Sequence, residues 1–220
     1  MNDSEIQEEE PKKGESIKVV LIGNSGVGKT CISSRYINEK YSESEGSTVG
    51  ASYFQKFLEI DGKNIQLDIW DTAGQEKYRS MGKMFYKDAY IVIFVYDITD
   101  HKSFDDLKNI WYDELKKTGE KNTVYAVVGN KNDLYLNEKV NEDEARQWAD
   151  EIGAIYGLVS AKTGDCIKPL FNNVVKKYLS PDFEAKINDE KKKKEEYKSI
   201  KIEKQNNNND KEKKKKWSFC

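Results

Sequence analysis

Within the eight residues Gly23-Asn24-Ser25-Gly26-Val27-Gly28-Lys29-Thr30 the chain sets three glycines, a lysine and two hydroxyls in one tight span. Glycines let successive backbone N–H groups turn inward on an anion, and a helix beginning behind them presents its positive end to it. Lys29 adds a full charge suited to the β and γ oxygens of a nucleotide. Thr30 adds an oxygen suited to Mg²⁺, which prefers near-octahedral oxygen ligation. Such a string carries weight only between a strand and a helix. Here the apolar run Ile17 to Ile22 precedes it and a helical stretch follows, so Ser25 to Thr30 are expected to cradle phosphates.

A second, acidic Mg²⁺ ligand belongs at the end of a neighbouring strand. Asp71 stands there, in Trp70-Asp71-Thr72-Ala73-Gly74-Gln75-Glu76. Gly74 can lend its N–H to a γ-phosphate. Gln75 is the catalytic candidate, since its neutral amide can both accept from and donate to an attacking water, a positioning role that needs no charged base. Base recognition is expected at Asn130-Lys131-Asn132-Asp133, after the apolar strand that ends at Gly129. Asp133 can accept from the N1–H and the N2 amine of guanine. Adenine lacks that paired donor edge and would leave the carboxylate unpaired, at a cost of about 1–3 kcal/mol or more. Ser160-Ala161-Lys162 would offer the Ala161 N–H to the carbonyl oxygen of the base. Either of these last strings alone is common in surface turns. Together with the phosphate loop and Asp71 they follow in chain order at the ends of successive strands, where ligands of open α/β sheets sit.

The elements that must position these residues follow from hydrophobic period. Short β-rich runs, Ile17 to Ile22, Gln66 to Trp70, Tyr90 to Tyr96, Val124 to Val128 and Ile155 to Val159, alternate with stretches of helical spacing. Such alternation requires crossover helices and a mainly parallel sheet. Asp61-Gly62, between Phe54 to Ile60 and the Gln66 run, reads as a hairpin turn, so one antiparallel strand joins the sheet. One helical stripe carries Ala145, Trp148, Ala149 and Ile152, and another carries Ile167, Leu170, Phe171, Val174, Val175 and Tyr178. A third helix runs from Ser103, at the N-cap, toward Gly119, with Phe104, Leu107 and Trp111 on its buried side. Pro169 is tolerated only near a helix start, which puts that start close to Ile167. The fold class is α/β: six strands, mostly parallel with one antiparallel, and helices on both faces.

The length of 220 residues and the 37% hydrophobic content suit one domain with tails. Residues 1–15 are a disordered acidic arm, 16–180 the folded domain and 181–220 a disordered charged tail too polar to offset its ordering entropy. The net charge of -2 hides an asymmetry between Asp3, Glu5 and Glu8 to Glu10 at one end and five lysines within residues 211–216 at the other. Cys31, Cys166 and Cys220 have neither the count nor the spacing of a disulfide or zinc framework, which indicates a reducing compartment. No run of roughly 18–20 apolar residues could span a membrane, so membrane contact would be peripheral or through lipid. No nucleic-acid partner is expected, and a monomer is. His101, the single histidine, lies outside every motif.

With these strings in hand the sequence resembles the small GTPases over roughly residues 16–180, and within them the Rab proteins. Thr72 to Ser80, Phe85-Tyr86-Lys87-Asp88-Ala89 and Tyr96-Asp97-Ile98-Thr99 carry the closer likeness. The resemblance implies a phosphate-loop GTP-binding G domain that holds GTP or GDP with Mg²⁺. It extends the nucleotide contacts to Cys31, Lys131 and Lys162, and matches Tyr41 to the aromatic that packs against guanine. It makes Thr48, in Ser47-Thr48-Val49-Gly50, a ligand of Mg²⁺ and the γ-phosphate, beside Thr30 and Asp71. Tyr53, Trp70 and Phe85 match an aromatic triad read by effectors. The further partners implied are an exchange factor, an activating protein and a GDP dissociation inhibitor or escort protein. The implied place is the cytoplasmic face of intracellular membranes, with a cytosolic pool. Val49-Gly50-Ala51-Ser52-Tyr53 departs from the commonest Rab pattern and looks closer to the endosomal branch.

Residues 36–78 contain no arginine, and the loop from Asn38 to Ser47 carries Glu39, Glu43 and Glu45. Slow intrinsic hydrolysis that depends on an activating partner is therefore expected. Arg35 is read as structural. A binding scaffold that scarcely hydrolyses stays open beside the GTPase, with Gln75 against it, and a nucleotide kinase would need a lid and arginines that the sequence lacks. The chain ends in Lys213 to Lys216, Trp217, Ser218, Phe219 and Cys220, with one cysteine where Rab proteins usually have two. One prenyl group on Cys220 with four lysines as the second membrane signal is the expectation, against an unmodified solvated tail.

Overall fold

The computed structural model describes residues 15–42, 46, 48–74, 84–117, 122–186 and 188–189. Gln75, Gly119, residues 1–14 of the expected 1–15 arm and the polybasic terminus with Cys220 lie outside them, so the expectations placed there carry no structural description, while Glu15 belongs to the first strand and not to an arm. Residues up to Tyr178 form one unit, and Leu179 onward another.

Six strands make one sheet in the order β2-β3-β1-β4-β5-β6. In chain order they are β1 (Glu15–Ile22), β2 (Ala51–Ile60), β3 (Lys63–Thr72), β4 (Ile91–Asp97), β5 (Val124–Asn130) and β6 (Ile155–Leu158). Every neighbouring pair is parallel except β2 and β3. That pair turns through Asp61 and Gly62, whose φ angles of 51° and 76° suit a tight hairpin. β1 begins two residues before Ile17, because Glu15 and Ser16 continue the ladder opposite Ile65 and Gln66.

Continuous apolar sequence in β1 and β4 reflects cover on both faces. On one face Val20, Ile22, Val92, Phe94 and Tyr96 pack with Phe104, Leu107, Trp111, Ala145 and Trp148. Those partners come from α2, which runs on through His101–Asp106, Leu107–Trp111 and Tyr112–Lys116, and from α3 (Glu142–Glu151). On the other face α1 (Lys29–Asn38) meets α4 (Ile167–Tyr178) through Tyr36 stacked on Phe171, with centroids 3.8 Å apart. Pro169 sits in the first turn of α4, where its missing N–H costs nothing.

The start of α2 differs from the sequence reading. Asp100 is its N-cap, accepting from the Lys102 N–H, while Ser103 lies buried inside the helix. There the Ser103 hydroxyl donates to the Asp100 carbonyl and accepts from the Asp97 N–H, ties to the end of β4 that a periodicity argument does not reach. The segment Leu107–Trp111 is π-helical, a widening that apolar spacing did not indicate.

Candidate nucleotide-binding site

The parallel register brings the carboxyl ends of β1, β3, β4, β5 and β6 to one edge, with Leu21 opposite Asp71, Ile22 opposite Phe94, Asp97 opposite Asn130 and Gly129 opposite Leu158. The loops leaving those ends enclose a cavity of about 360 Å³. From the phosphate loop and α1 it is lined by Ser25, Gly26, Gly28, Lys29, Thr30 and Cys31. Tyr41, Thr48 and Gly74 line it from the loops after α1 and β3, and Asn130, Lys131, Asp133, Ala161 and Lys162 line it from the loops after β5 and β6. Ser42, Gly46 and Leu134 complete the wall without having been singled out in the sequence. Two expected residues stand behind it: Val27 is buried and its carbonyl accepts from Asn130, and Ser160 is buried against Asp133.

Gly28 caps α1 in the left-handed region, with φ of 94° and no side-chain cap on the first turn. A β-carbon at Gly28 would stand 2.3 Å from Asn130 Nδ2, so both the turn and the packing demand glycine. With neither a capping side chain nor an acidic residue in that first turn, the helix's positive end is left for an anion. Lys29 is 5% exposed and lies across the loop, its Nζ donating to the carbonyls of Gly23 at 2.8 Å and Asn24 at 2.9 Å. Burial pulls its pKa down to about 8, a shift that the Asp71 carboxylate partly offsets.

Thr30 Oγ1 stands 2.6 Å from Asp71 Oδ2, to which it donates, and 2.8 Å from Thr48 Oγ1. The three residues expected to hold Mg²⁺ thus come together from α1, β3 and the loop before β2. Two hydroxyls and a fully buried carboxylate form the hard, all-oxygen donor set that this ion takes, so the residues present fit it. Gly74 packs on the phosphate loop so closely that a β-carbon would meet the Asn24 carbonyl carbon at 2.3 Å.

At the base end the Ser160 hydroxyl donates to Asp133 Oδ1 at 2.6 Å and accepts from the Thr163 N–H at 3.1 Å, fixing the carboxylate's rotamer. Asn130 ties two loops together. Its Nδ2 donates to the Val27 carbonyl, and its Oδ1 accepts from the Ala161 N–H at 3.1 Å. The Ala161 N–H, expected to face a base oxygen, is instead taken up by Asn130 Oδ1 in this structure. Lys131, itself left-handed, pairs with Asp97 at 2.6 Å, and Asp97 also accepts from the N–H and hydroxyl of Thr99. Sequence reasoning saw Tyr96-Asp97-Ile98-Thr99 only as a family likeness and missed this orienting role.

Arg35 is structural as read, and its place is specific. It donates to the carbonyls of Ala161 at 2.8 Å, Lys162 at 2.6 Å and Glu39 at 2.8 Å, and lies 5.8 Å from the centroid of Tyr41. One guanidinium so holds the second base loop to α1. Outside the cavity, Tyr53 and Trp70 have ring centroids 5.1 Å apart, and Trp70 and Phe85 5.7 Å, a continuous aromatic surface over β2 and β3. His101, Asp105 and Glu144 bring ligand atoms within 4.8 Å of one another, but Lys108 pairs with both carboxylates and makes the cluster a salt-bridge network.

Residues 18–180 match the sequence model of the Ras family. The Ras-related protein Rab-21 of Geodia cydonium is 44% identical over 163 residues, covering 74% of this chain and 70% of that protein. RabJ of Dictyostelium discoideum is 40% identical over 162 residues, 74% of this chain and 63% of its own length. Rab-5B of the same organism is 41% identical over 169 residues, 76% of this chain and 78% of its own length.

Proposed function

This chain belongs to the Ras family and, within it, to the Rab small GTPases, and from that premise we propose that the strand-end cavity binds GTP and GDP and that the loops carrying Thr48 and Gly74 read the terminal phosphate. The chain is a Rab-like GTPase of vesicle traffic, and it hydrolyses GTP to GDP; a scaffold that scarcely turns over is not favoured by its family. The observation that carries the site is the convergence of residues from three separate strand ends: Lys29 and Thr30 after β1 and Asp133 after β5 line one cavity, and Asp71 at the end of β3 accepts from Thr30. The helix end behind Gly28 and the Lys29 ammonium bind phosphates, Asp133 and the loop of Ala161 read the guanine edge, and Tyr41 packs on the ring. Thr30, Thr48 and Asp71 would hold Mg²⁺, which when bound would supply positive charge against the nucleotide's phosphates.

Gln75 positions the attacking water. With no arginine between residues 36 and 78, the chain's own residues leave the departing charge poorly offset, so turnover is slow until an activating protein supplies one. Loss of the γ-phosphate removes the contacts from Thr48 and Gly74 that distinguish the two loop shapes. An exchange factor reloads GTP, effectors read Tyr53, Trp70 and Phe85 when it is bound, and a GDP dissociation inhibitor or escort protein carries the cytosolic pool. The names of two relatives, Rab-21 and Rab-5B, and the segment Val49 to Tyr53 support the endosomal branch. Membrane attachment uses a prenyl group on Cys220 together with Lys213 to Lys216.

Single-turnover hydrolysis tests the reading. Gln75→Leu should slow GTP cleavage by about 10-fold or more while leaving nucleotide affinity within about twofold. Unchanged turnover would remove Gln75 from the mechanism.

A further inference from the structure

Asn24 is the member of the phosphate loop to which phosphate chemistry gives no task, and it is the one tied by its side chain to α2. Its Nδ2 donates to Asp106 Oδ2 at 2.6 Å, and its Oδ1 accepts from the indole Nε1–H of Trp111 at 2.8 Å. Those two partners are five positions apart on one helix. In an α-helix, residues turn by about 100° each, so positions five apart point about 140° away from one another. A π turn narrows that divergence, because its hydrogen bond joins residues i and i+5 and brings them toward the same side of the helix. Leu107–Trp111 is such a turn, with the Tyr112 N–H bonded to the Leu107 carbonyl. The widened turn is thus what lets Asp106 and Trp111 reach the same side chain.

The amide's orientation follows from its partners. An indole N–H only donates and a carboxylate only accepts, so the Asn24 oxygen must face Trp111 and its nitrogen must face Asp106. An aspartate at this position would keep the indole bond and set a second carboxylate oxygen against Asp106. Meanwhile the backbone of Asn24 faces the site. Its carbonyl accepts from Lys29 Nζ at 2.9 Å, and the Asn24–Ser25 peptide is the surface that Gly74 abuts.

We propose that Asn24 is a positioning residue through which the π-helical turn of α2 holds the phosphate loop against Lys29 and Gly74, and so sets how long the loop retains its nucleotide. The inference rests on reading this loop as the phosphate site. Asn24 acts through its neighbours, and the clasp makes the chemistry of residues 24 and 106 interdependent.

Release of fluorescent GDP with Mg²⁺ present, measured by stopped flow on the full chain, tests it. N24D should release GDP about 10-fold faster than wild type. The double variant N24D/D106N, in which the introduced amide donates to the introduced carboxylate and the indole bond is kept, should return within about twofold of wild type. A residue that merely contributed to general stability would not show this reciprocal rescue. N24D releasing at the wild-type rate, or a double variant as fast as N24D, would overturn the proposal. Should N24D fail to fold, W111F decides in its place: it keeps ring bulk, removes the one donor and should also accelerate release, whereas an unchanged rate would overturn the clasp. Wild-type protein that takes up no fluorescent GDP would overturn the phosphate-site reading itself, a result distinct from normal uptake with no effect of N24D.

Discussion

Replacing Asp133 by asparagine should reverse the base preference of the site. Asp133 lines the cavity from the turn after β5, and the Ser160 hydroxyl occupies one lone pair of its Oδ1 at 2.6 Å. That contact locks the rotamer and leaves the remaining acceptor positions for the N1–H and N2 amine of guanine. Hydrogen bonds to a charged group contribute about 1.5–3 kcal/mol each. Losing the pair then costs on the order of 3–6 kcal/mol, or roughly 10²- to 10⁴-fold in Kd for GTP. The substitution also sets an amide donor against the N2 amine. Xanthine carries an oxygen in place of that amine, so the introduced amide can donate to it while its carbonyl keeps the N1–H. The Ser160 hydroxyl can rotate to suit either side chain. Competition of GTP and xanthosine triphosphate against fluorescent GDP, on wild type and D133N, gives the ratio directly. A D133N protein that keeps the wild-type preference for GTP would remove Asp133 from base recognition.

Lys29 supplies a pH signature. With its pKa near 8 before phosphate binds, it is largely neutral at about pH 9, and phosphate charge restores the ammonium. GDP binding at about pH 9 should therefore take up close to one proton, read by titration calorimetry in buffers of different ionisation heat, and much less at about pH 7; no uptake at the higher pH would contradict the burial of an uncompensated lysine at the phosphates. The same shift carries a sign for stability. Between about pH 8 and 10.5 the unfolded chain binds more protons at Lys29 than the folded one, so nucleotide-stripped protein should gain from this residue as pH rises through that window, and a K29M variant should lack the gain in denaturant titrations. Thr30→Asn removes a hydroxyl ligand placed 2.6 Å from Asp71 and should weaken Mg²⁺ and GTP more than GDP, by about 10-fold or more in Kd ratio; equal loss for both nucleotides would argue against a metal role.

The parts of this architecture legible in the sequence are those that local pattern dictates. Alternating apolar runs and helical stripes located all six strands, and the strings at Gly23 to Thr30, Asp71, Asn130 to Asp133 and Ser160 to Lys162 fall at the strand ends that line the cavity. What escaped depends on contacts between distant positions. Arg35 meets the Ala161 carbonyl 126 residues away, and the Asn24 amide meets Trp111 across 87. Hydrophobic period could not show the π turn of α2, since one inserted residue shifts the helix face without changing composition. Ser103 was mistaken for a cap for a related reason: serine suits both a cap and a buried back-bond, and only the end of β4 beside it decides between them. Asn130 illustrates the reverse, a residue that lines the cavity while its side chain joins two loops.

The central claim is that one cavity at the sheet's carboxyl edge holds a guanine nucleotide by its phosphates at Lys29 and by its base at Asp133. Protein purified with Mg²⁺, denatured and analysed for released nucleotide should yield about one GDP or GTP per chain, and stripped protein should take either up again at micromolar concentration. A chain that carries no guanine nucleotide and takes up neither would contradict the account.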